Sequence, residues 1–236
     1  MNTRRELDPE LQHKVDWMIE ELTGEFGSAF ERSRIEEVVD DSVTRLLDTA
    51  SVRQFVPLMA YRFTRERLLA LVRTGKDAAG DHVDIVFVSL SGGGRGQIAA
   101  ALTAMLCGDR VTVHSAGTHA GSVDPAVRTV IAELGVNPDE AFARPVTNEV
   151  LRAADVIVTM GHSVGMINLP AGVRHEDWRI GDPIGAPVDE TRRVRDDIEY
   201  RVRHLLADLG IIQPEEAEPA TAGQPAGVDR SELASS

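Results

Sequence analysis

The stretch Val86-Phe-Val-Ser-Leu-Ser-Gly-Gly-Gly-Arg-Gly-Gln-Ile-Ala-Ala100 constrains the fold more than any other part of the chain. β-Branched and aromatic residues run into three successive glycines and then into an Ala-rich segment. That order predicts a buried strand over 84–88, a tight backbone loop, and a helix over 97–107. The same alternation continues downstream: a strand over 110–114, a helix over 124–134, a short helix over 147–153, a strand over 155–160 and a long final helix over 189–209. Strands alternating with helices imply an α/β domain with a parallel sheet covered on both faces. We expect four strands. In such sheets ligands bind at the carboxyl ends of the strands, where a helix N-terminus offers free N–H groups and the positive end of its dipole.

Residues 9–76 read differently. Leu11, Val15, Met18 and Leu22 recur at helical spacing. Ser33 with Glu36 has the form of a capping box ahead of Ile35, Val38, Val39, Ser42 and Leu46. Pro57 fits only a first turn, so a third helix is expected from near Gln54 through Met59, Phe63, Leu68 and Val72. Three short amphipathic helices bury little surface alone, which favours packing on the main domain or on a second copy. The expected organisation is an all-α three-helix bundle over 1–76, expected to mediate dimerisation, a linker over 77–82, the α/β domain over 83–212, and a disordered Pro-, Ala- and Glu-rich tail over 213–236.

The glycine loop admits three readings. A Walker A loop fails because no Gly-Lys-Ser/Thr follows. A dinucleotide fingerprint is nearly matched by Gly94, Gly96 and Ala99, but His114 ends the next strand where an acidic residue should grip a ribose. The third reading joins several motifs in order: the strand with x5-Arg before the helix, Ser115-Ala-Gly-Thr118, the run Arg152-Ala-Ala-Asp-Val-Ile-Val-Thr-Met-Gly161, Glu176-Asp177-Trp178, and Asp182-Pro183. This pattern, over residues 83–210, resembles the low-molecular-weight tyrosine phosphatases and within them the arsenate reductases. The helical part, through Val52-Arg-Gln-Phe-Val-Pro-Leu58 and Arg62-Phe-Thr-Arg-Glu-Arg-Leu68, is similar to the three-helix dimerisation domain found ahead of such reductases.

The resemblance implies a Cys-x5-Arg loop with a thiolate nucleophile, an arginine clamp and an Asp that protonates the leaving group. Carried over, the clamp is Arg95, the acid is Asp182, and the anion-binding loop is Leu90, Ser91, Gly92, Gly93, Gly94, Arg95 and Gly96. The nucleophile position is Ser89. A helix N-terminus can depress a cysteine pKa, but a serine hydroxyl starts too high for the same field to ionise it and needs a base. The family's Asn and Ser that buttress the loop fall on Gly92 and Gly96, and its further cysteines are replaced by His162 and the stretch through Leu169. The first expectation is therefore a catalytically silent homologue that keeps the anion site. The alternatives are residual phosphatase or reductase activity through Ser89 or an external thiol, and a purely structural dimer with a vestigial loop.

Other features narrow the reading. The net charge of −13 has the wrong sign for a protein that grips nucleic acid through its phosphates, so any anion site must be made locally. No apolar run approaches the ~18 residues of a membrane span, and the expected location is the cytoplasm. Expected partners are a small oxyanion (phosphate, arsenate or sulfate) or a phosphorylated group, and a second copy of the chain. No cofactor or metal is implied. The lone Cys107 reads as a buried structural thiol. His114 and His119, five apart, lack the carboxylates that would make a metal site. Arg192, Arg193 and Arg195 read as a solvated helix face with Asp196, Asp197 and Glu199, and Trp178 as packing beside the site. Ile184 follows Asp182-Pro183 where tyrosine phosphatases carry an aromatic, which argues against a phosphotyrosine pocket.

Overall fold

The strand starting at Val83 is the centre of the molecule. In the computed structural model, which describes residues 7–48, 56–74, 82–90, 92–117, 122–138, 141, 144–161, 165 and 167–217, β1 (Val83–Ser89) lies between β2 (Val111–Gly117) and β4 (Val156–Met160). The edges are β3 (Arg144–Pro145) beside β2 and β5 (Arg174–Trp178) beside β4. All pairings are parallel and the order is β3-β2-β1-β4-β5. The chain moves outward from β1 through β2 to β3, then returns to the other side for β4 and β5. The direction reverses between β1 and β4, which is where an open α/β sheet forms its ligand crevice.

The sheet has five strands where four were expected. Two-residue β3 is too short for any hydrophobic period, and β5, Arg-His-Glu-Asp-Trp, is a polar edge whose only buried residue is Trp178. Strand β2 also runs further than expected, so Ser115 to Gly117 belong to the strand rather than follow it.

Period-two alternation along β1 divides the core. Ile85 and Phe87 point to one face with Ile98 and Leu102 of α4 (Arg95–Cys107), Val127 and Ile131 of α5 (Pro125–Glu133), and Ile198 and Val202 of α7 (Val188–Asp208). Val86 and Val88 point to the other face with Val150 and Leu151 of α6 (Asn148–Ala153), and with Ala70 of α3 (Val56–Thr74). The third N-terminal helix thus covers the sheet. With α1 (Pro9–Phe26) and α2 (Arg32–Leu47) it encloses a second core around Val15, Leu22, Ile35, Phe63 and Leu68.

Charged groups at the α3 junction are paired across it. Glu66 meets His114 Nδ1 at 2.7 Å and Arg144 Nε at 2.9 Å. Arg67, 6% exposed, reaches Asp41 at 2.7 Å, the Ser42 hydroxyl at 2.8 Å and Glu149 at 2.5 Å. Arg73 pairs with buried Asp84 and with Asp155. The covering that the sequence left open between the main domain and a second copy is in part supplied within the chain.

Asp8 caps α1, accepting from the Leu11 N–H at 3.0 Å, with Pro9 in the first turn. The capping box at Ser33 and Glu36 is absent: α2 begins at Arg32 after Glu31 with no side-chain cap, and Glu36 pairs instead with Arg32 at 3.0 Å. An available arginine one turn earlier outcompetes the backbone for that carboxylate. The tail is ordered at its start. Gln213 N–H donates to Glu216 at 2.8 Å, a four-residue helix α8 (Pro214–Ala217) follows, and Ala217 is buried. Polar composition hid that docking. The expected linker, except His82, and residues 218–236 lie outside the described residues, as do 49–55, where the start expected near Gln54 falls. No described helix is long and apolar enough to cross a membrane.

Candidate functional site

Ser89 closes β1 with its Cα in register with Gly117 and Met160, so the loop that follows opens into the crevice between β1 and β4. The serine is 1% exposed, and its hydroxyl has no hydrogen-bond partner among the described residues. Gly92 takes φ +66°, the left-handed region that favours glycine, and its carbonyl accepts from Gln97 Nε2 at 2.8 Å. Gly94 is the N-cap residue of α4, whose first turn starts at Arg95. The helix dipole therefore points its positive end at the loop.

The glycines are fixed by what lies over them. A β-carbon at Gly93 would collide with the Ser122 carbonyl oxygen, and one at Gly94 would lie 3.2 Å from Ile184 and 3.3 Å from Pro183. One at Gly92 would meet Gly117 N at 2.9 Å. At Gly96, where the family resemblance places a serine, a β-carbon would stand 2.7 Å from Ser115 Oγ and 3.4 Å from Ser89 Oγ. Ser115 is buried and its hydroxyl also lacks a partner among the described residues. The loop is thus glycine-rich because two neighbouring loops and one serine occupy the space that side chains would take.

Asp124 holds that arrangement together. Its N–H donates to Gly93 O at 3.1 Å, Oδ1 accepts from Ala126 N–H at 2.8 Å as the cap of α5, and Oδ2 accepts from Gly185 N–H at 3.0 Å. One residue ties the two loops, its backbone N–H holding the glycine loop and its carboxylate the loop that carries Asp182. The sequence marked Asp124 only as a helix start. Its Asp-Pro pair identifies a cap, and nothing local shows that the second carboxylate oxygen reaches residue 185.

Arg95 and Asp182, far apart in sequence, are brought together. The guanidinium is 92% buried by its side-chain exposure of 8%, with Nη1 donating to Ile180 O at 3.0 Å and Nη2 to Asp182 Oδ2 at 3.2 Å. Its Nε is buried without a hydrogen-bond partner among the described residues. Gly161, at φ +61°, makes room: a β-carbon there would run into Arg95 Nη1. Asp182 is half-exposed, and its Oδ1 accepts from Ile184 N–H at 3.3 Å.

Leu90 is 43% exposed at the edge of the loop. Ser91, His119 and His162 lie outside the described residues. His114 is engaged by Glu66 at the α3 junction, away from the loop. Cys107 is buried at the far end of α4, and burial pushes its thiol up despite Arg110 nearby. Trp178 packs on Phe87 with ring centroids 5.8 Å apart. Arg192 and Arg195 pair with Glu133 of α5 as well as with their own helix.

Chemically, the described residues set a helix N-terminus and a buried guanidinium beside the Ser89 hydroxyl. Serine attack requires a base within hydrogen-bond reach of the hydroxyl. Among the described residues none bonds Ser89 Oγ.

Comparison with known proteins agrees with this geometry. The family model described as low molecular weight phosphotyrosine protein phosphatase matches residues 84–213. A second model, the N-terminal domain of protein-tyrosine-phosphatase-like proteins, matches residues 15–72. Arsenate reductase 1 of Staphylococcus epidermidis is 30% identical over 120 residues, covering 50% of this chain and 91% of the relative. An arsenate reductase of Staphylococcus aureus is 27% identical over 123 residues, covering 51% and 94%. The thioredoxin-dependent arsenate reductase of Corynebacterium glutamicum superposes with a TM-score of 0.74 at 28% identity, covering 87% of this chain and 99% of that one. By its matched domains, its parallel sheet and its arsenate reductase relatives, the chain belongs to the low-molecular-weight phosphotyrosine protein phosphatase family, with the phosphatase-like N-terminal domain ahead of it.

Proposed function

We propose that this chain is a catalytically silent member of the family that binds a tetrahedral oxyanion, or a phosphorylated group, through the amides of Leu90 to Gly96 and the guanidinium of Arg95. The observation that supports the reading is the pairing of anion-directed donors with Ser89: a helix N-terminus and a buried arginine, whose Nε has no partner among the described residues, stand beside a hydroxyl that no described base contacts. Reduction of arsenate to arsenite takes up two electrons, which in thiol chemistry means two sulfurs ending as a disulfide. Cys107 is the only sulfur nucleophile in the sequence, and it is buried with its thiol pushed up.

The relatives' names say arsenate reductase, and what those proteins do is the competing reading here. Incubation with arsenate and either thioredoxin or a small thiol should give no turnover above background. Turnover that vanishes in Ser89→Ala would overturn the silent reading, and turnover that vanishes in Cys107→Ser would relocate the active thiol. Binding should be millimolar, and Arg95→Ala should weaken it roughly tenfold to a hundredfold, since a charge-assisted hydrogen bond contributes ~1.5 to 3 kcal/mol. Equal binding by the two proteins in calorimetry would leave the loop vestigial.

Residues 1–76 as a unit that joins two copies belong to the same proposal. Its support is an exposed apolar face on α1 and α3: Trp17 (52% exposed) stacked on Tyr61, with Leu58 at 55%. Light scattering should give twice the chain mass for the full chain and the single mass for Leu58→Glu. A single mass for both would remove the claim.

A further inference from the structure

We propose that Asp182 makes the site selective for oxyanions that keep a hydroxyl at neutral pH, inorganic phosphate and arsenate, and against sulfate, which keeps none. The inference rests on the reading of the loop as an oxyanion site.

A guanidinium grips two oxygens along its Nε–Nη2 edge. In Arg95, Nη1 is taken by the Ile180 carbonyl, Nη2 is shared with Asp182 Oδ2 at 3.2 Å, and buried Nε has no partner among the described residues. Together with the equally unpartnered Ser89 hydroxyl, this is a second sign of a ligand besides the N-terminus of α4. An anion oxygen drawn to Nε has its neighbour drawn to Nη2, the nitrogen that Asp182 already holds. That neighbour then stands against a carboxylate oxygen.

Two bare anionic oxygens in that position repel in a partly desolvated site, and neither can supply a proton to the other. An O–H in the same position donates to the carboxylate, turning a repulsion into a charge-assisted hydrogen bond. Asp182 is not free to withdraw without cost, since its Oδ1 accepts from the Ile184 N–H at 3.3 Å and its loop is pinned by Asp124 through Gly185. Hydrogen phosphate, hydrogen arsenate and sulfate are all doubly charged at about pH 8. The −13 net charge of the chain therefore opposes all three alike, and what separates them is the proton.

The silent reading gives this residue a use that proton donation to a leaving group does not. In a chain with no nucleophile, the carboxylate acts on the bound ion as a filter.

Calorimetry on the full chain at about pH 8 and low salt tests this with phosphate, arsenate and sulfate as probes. The wild type should bind phosphate and arsenate about tenfold or more tighter than sulfate, and Asp182→Asn should bring sulfate to within about threefold of phosphate because an amide can donate to a bare oxygen. Wild-type affinities for phosphate and sulfate that agree within about twofold overturn the inference while leaving an Arg95-dependent anion site standing. So does a preference that Asp182→Asn leaves unchanged. If no anion binds, or if Arg95→Ala binds as the wild type does, the oxyanion reading itself falls and this inference with it.

Discussion

Replacing Glu66 with alanine measures how firmly the N-terminal helices are joined to the sheet. The side chain is 12% exposed, with one oxygen 2.7 Å from His114 Nδ1 and the other 2.9 Å from Arg144 Nε. Burial pushes its carboxyl up, and Arg144 with His114 pull it down by more, so it lies below the ordinary glutamate range. Removing one partner of a buried pair costs ~3 to 5 kcal/mol, because the charge left behind is uncompensated. His114 and Arg144 retain 14% and 20% side-chain exposure, so water relieves part of that cost and the lower end applies, about 3 kcal/mol. For a chain of this size a loss of 1 kcal/mol lowers Tm by ~2 to 4 °C, which sets the expected drop at about 6 to 12 °C. Because the folded carboxyl titrates below its unfolded value, its contribution is complete above that unfolded value, near 4.5, and disappears as pH falls through the folded one. Thermal unfolding of wild type and Glu66→Ala between pH 7 and pH 3.5 should therefore show a gap that is widest at neutral pH and narrows in acid. A neutral-pH gap under ~1 °C, or one that widens as pH falls, refutes the pairing as a stabilising contact.

Three further expectations follow from single atoms. Gly93→Ala should cost ~1 to 3 kcal/mol in urea unfolding and abolish oxyanion binding, since its β-carbon meets the Ser122 carbonyl, which is backbone and has no rotamer to yield. Gly24→Ala, in the interior of α1 with nothing within 4 Å of the new carbon, should instead stabilise by ~0.5 to 1 kcal/mol, and a loss in that variant would contradict the helix packing. Cys107 should react with iodoacetamide at pH 8 far more slowly in the native protein than in urea, because burial keeps its thiol protonated. Equal rates would mean the end of α4 is open to solvent.

The sheet's interior was legible because it is apolar on both faces: β1 is a run of β-branched and aromatic residues buried from Asp84 onward, and the Ala-rich helix after the glycines has no other reading. The polar elements were not. Strand β5 is held by backbone bonds along β4 and needs no apolar side chains to exist, and β3 is two residues of edge. The helix α8 depends on a capping glutamate and one buried alanine. At the site, motif order singled out Ser89, Arg95 and Asp182, and the structure puts the last two in direct contact. It could not show that Arg95 is shared between Ile180 and Asp182, or that Asp124 ties two loops, because those contacts join residues 61 to 87 positions apart. Nor could spacing reveal that α3 is charged toward the sheet. Nothing in the spacing of Glu66, Arg67 and Arg73 distinguishes charges paired across a junction from charges in water.

That junction bears on how such a chain can change over generations. Once Glu149, Asp84 and His114 of the α/β part are matched to charges on α3, shedding the helices by a single truncation carries a cost, because each of these groups loses its partner at a surface shaped to be covered. Reversal needs several neutralising substitutions first, each harmful while the helices remain. The seam thus acts as a ratchet: the helices are kept by the charges matched to them, whatever the glycine loop does.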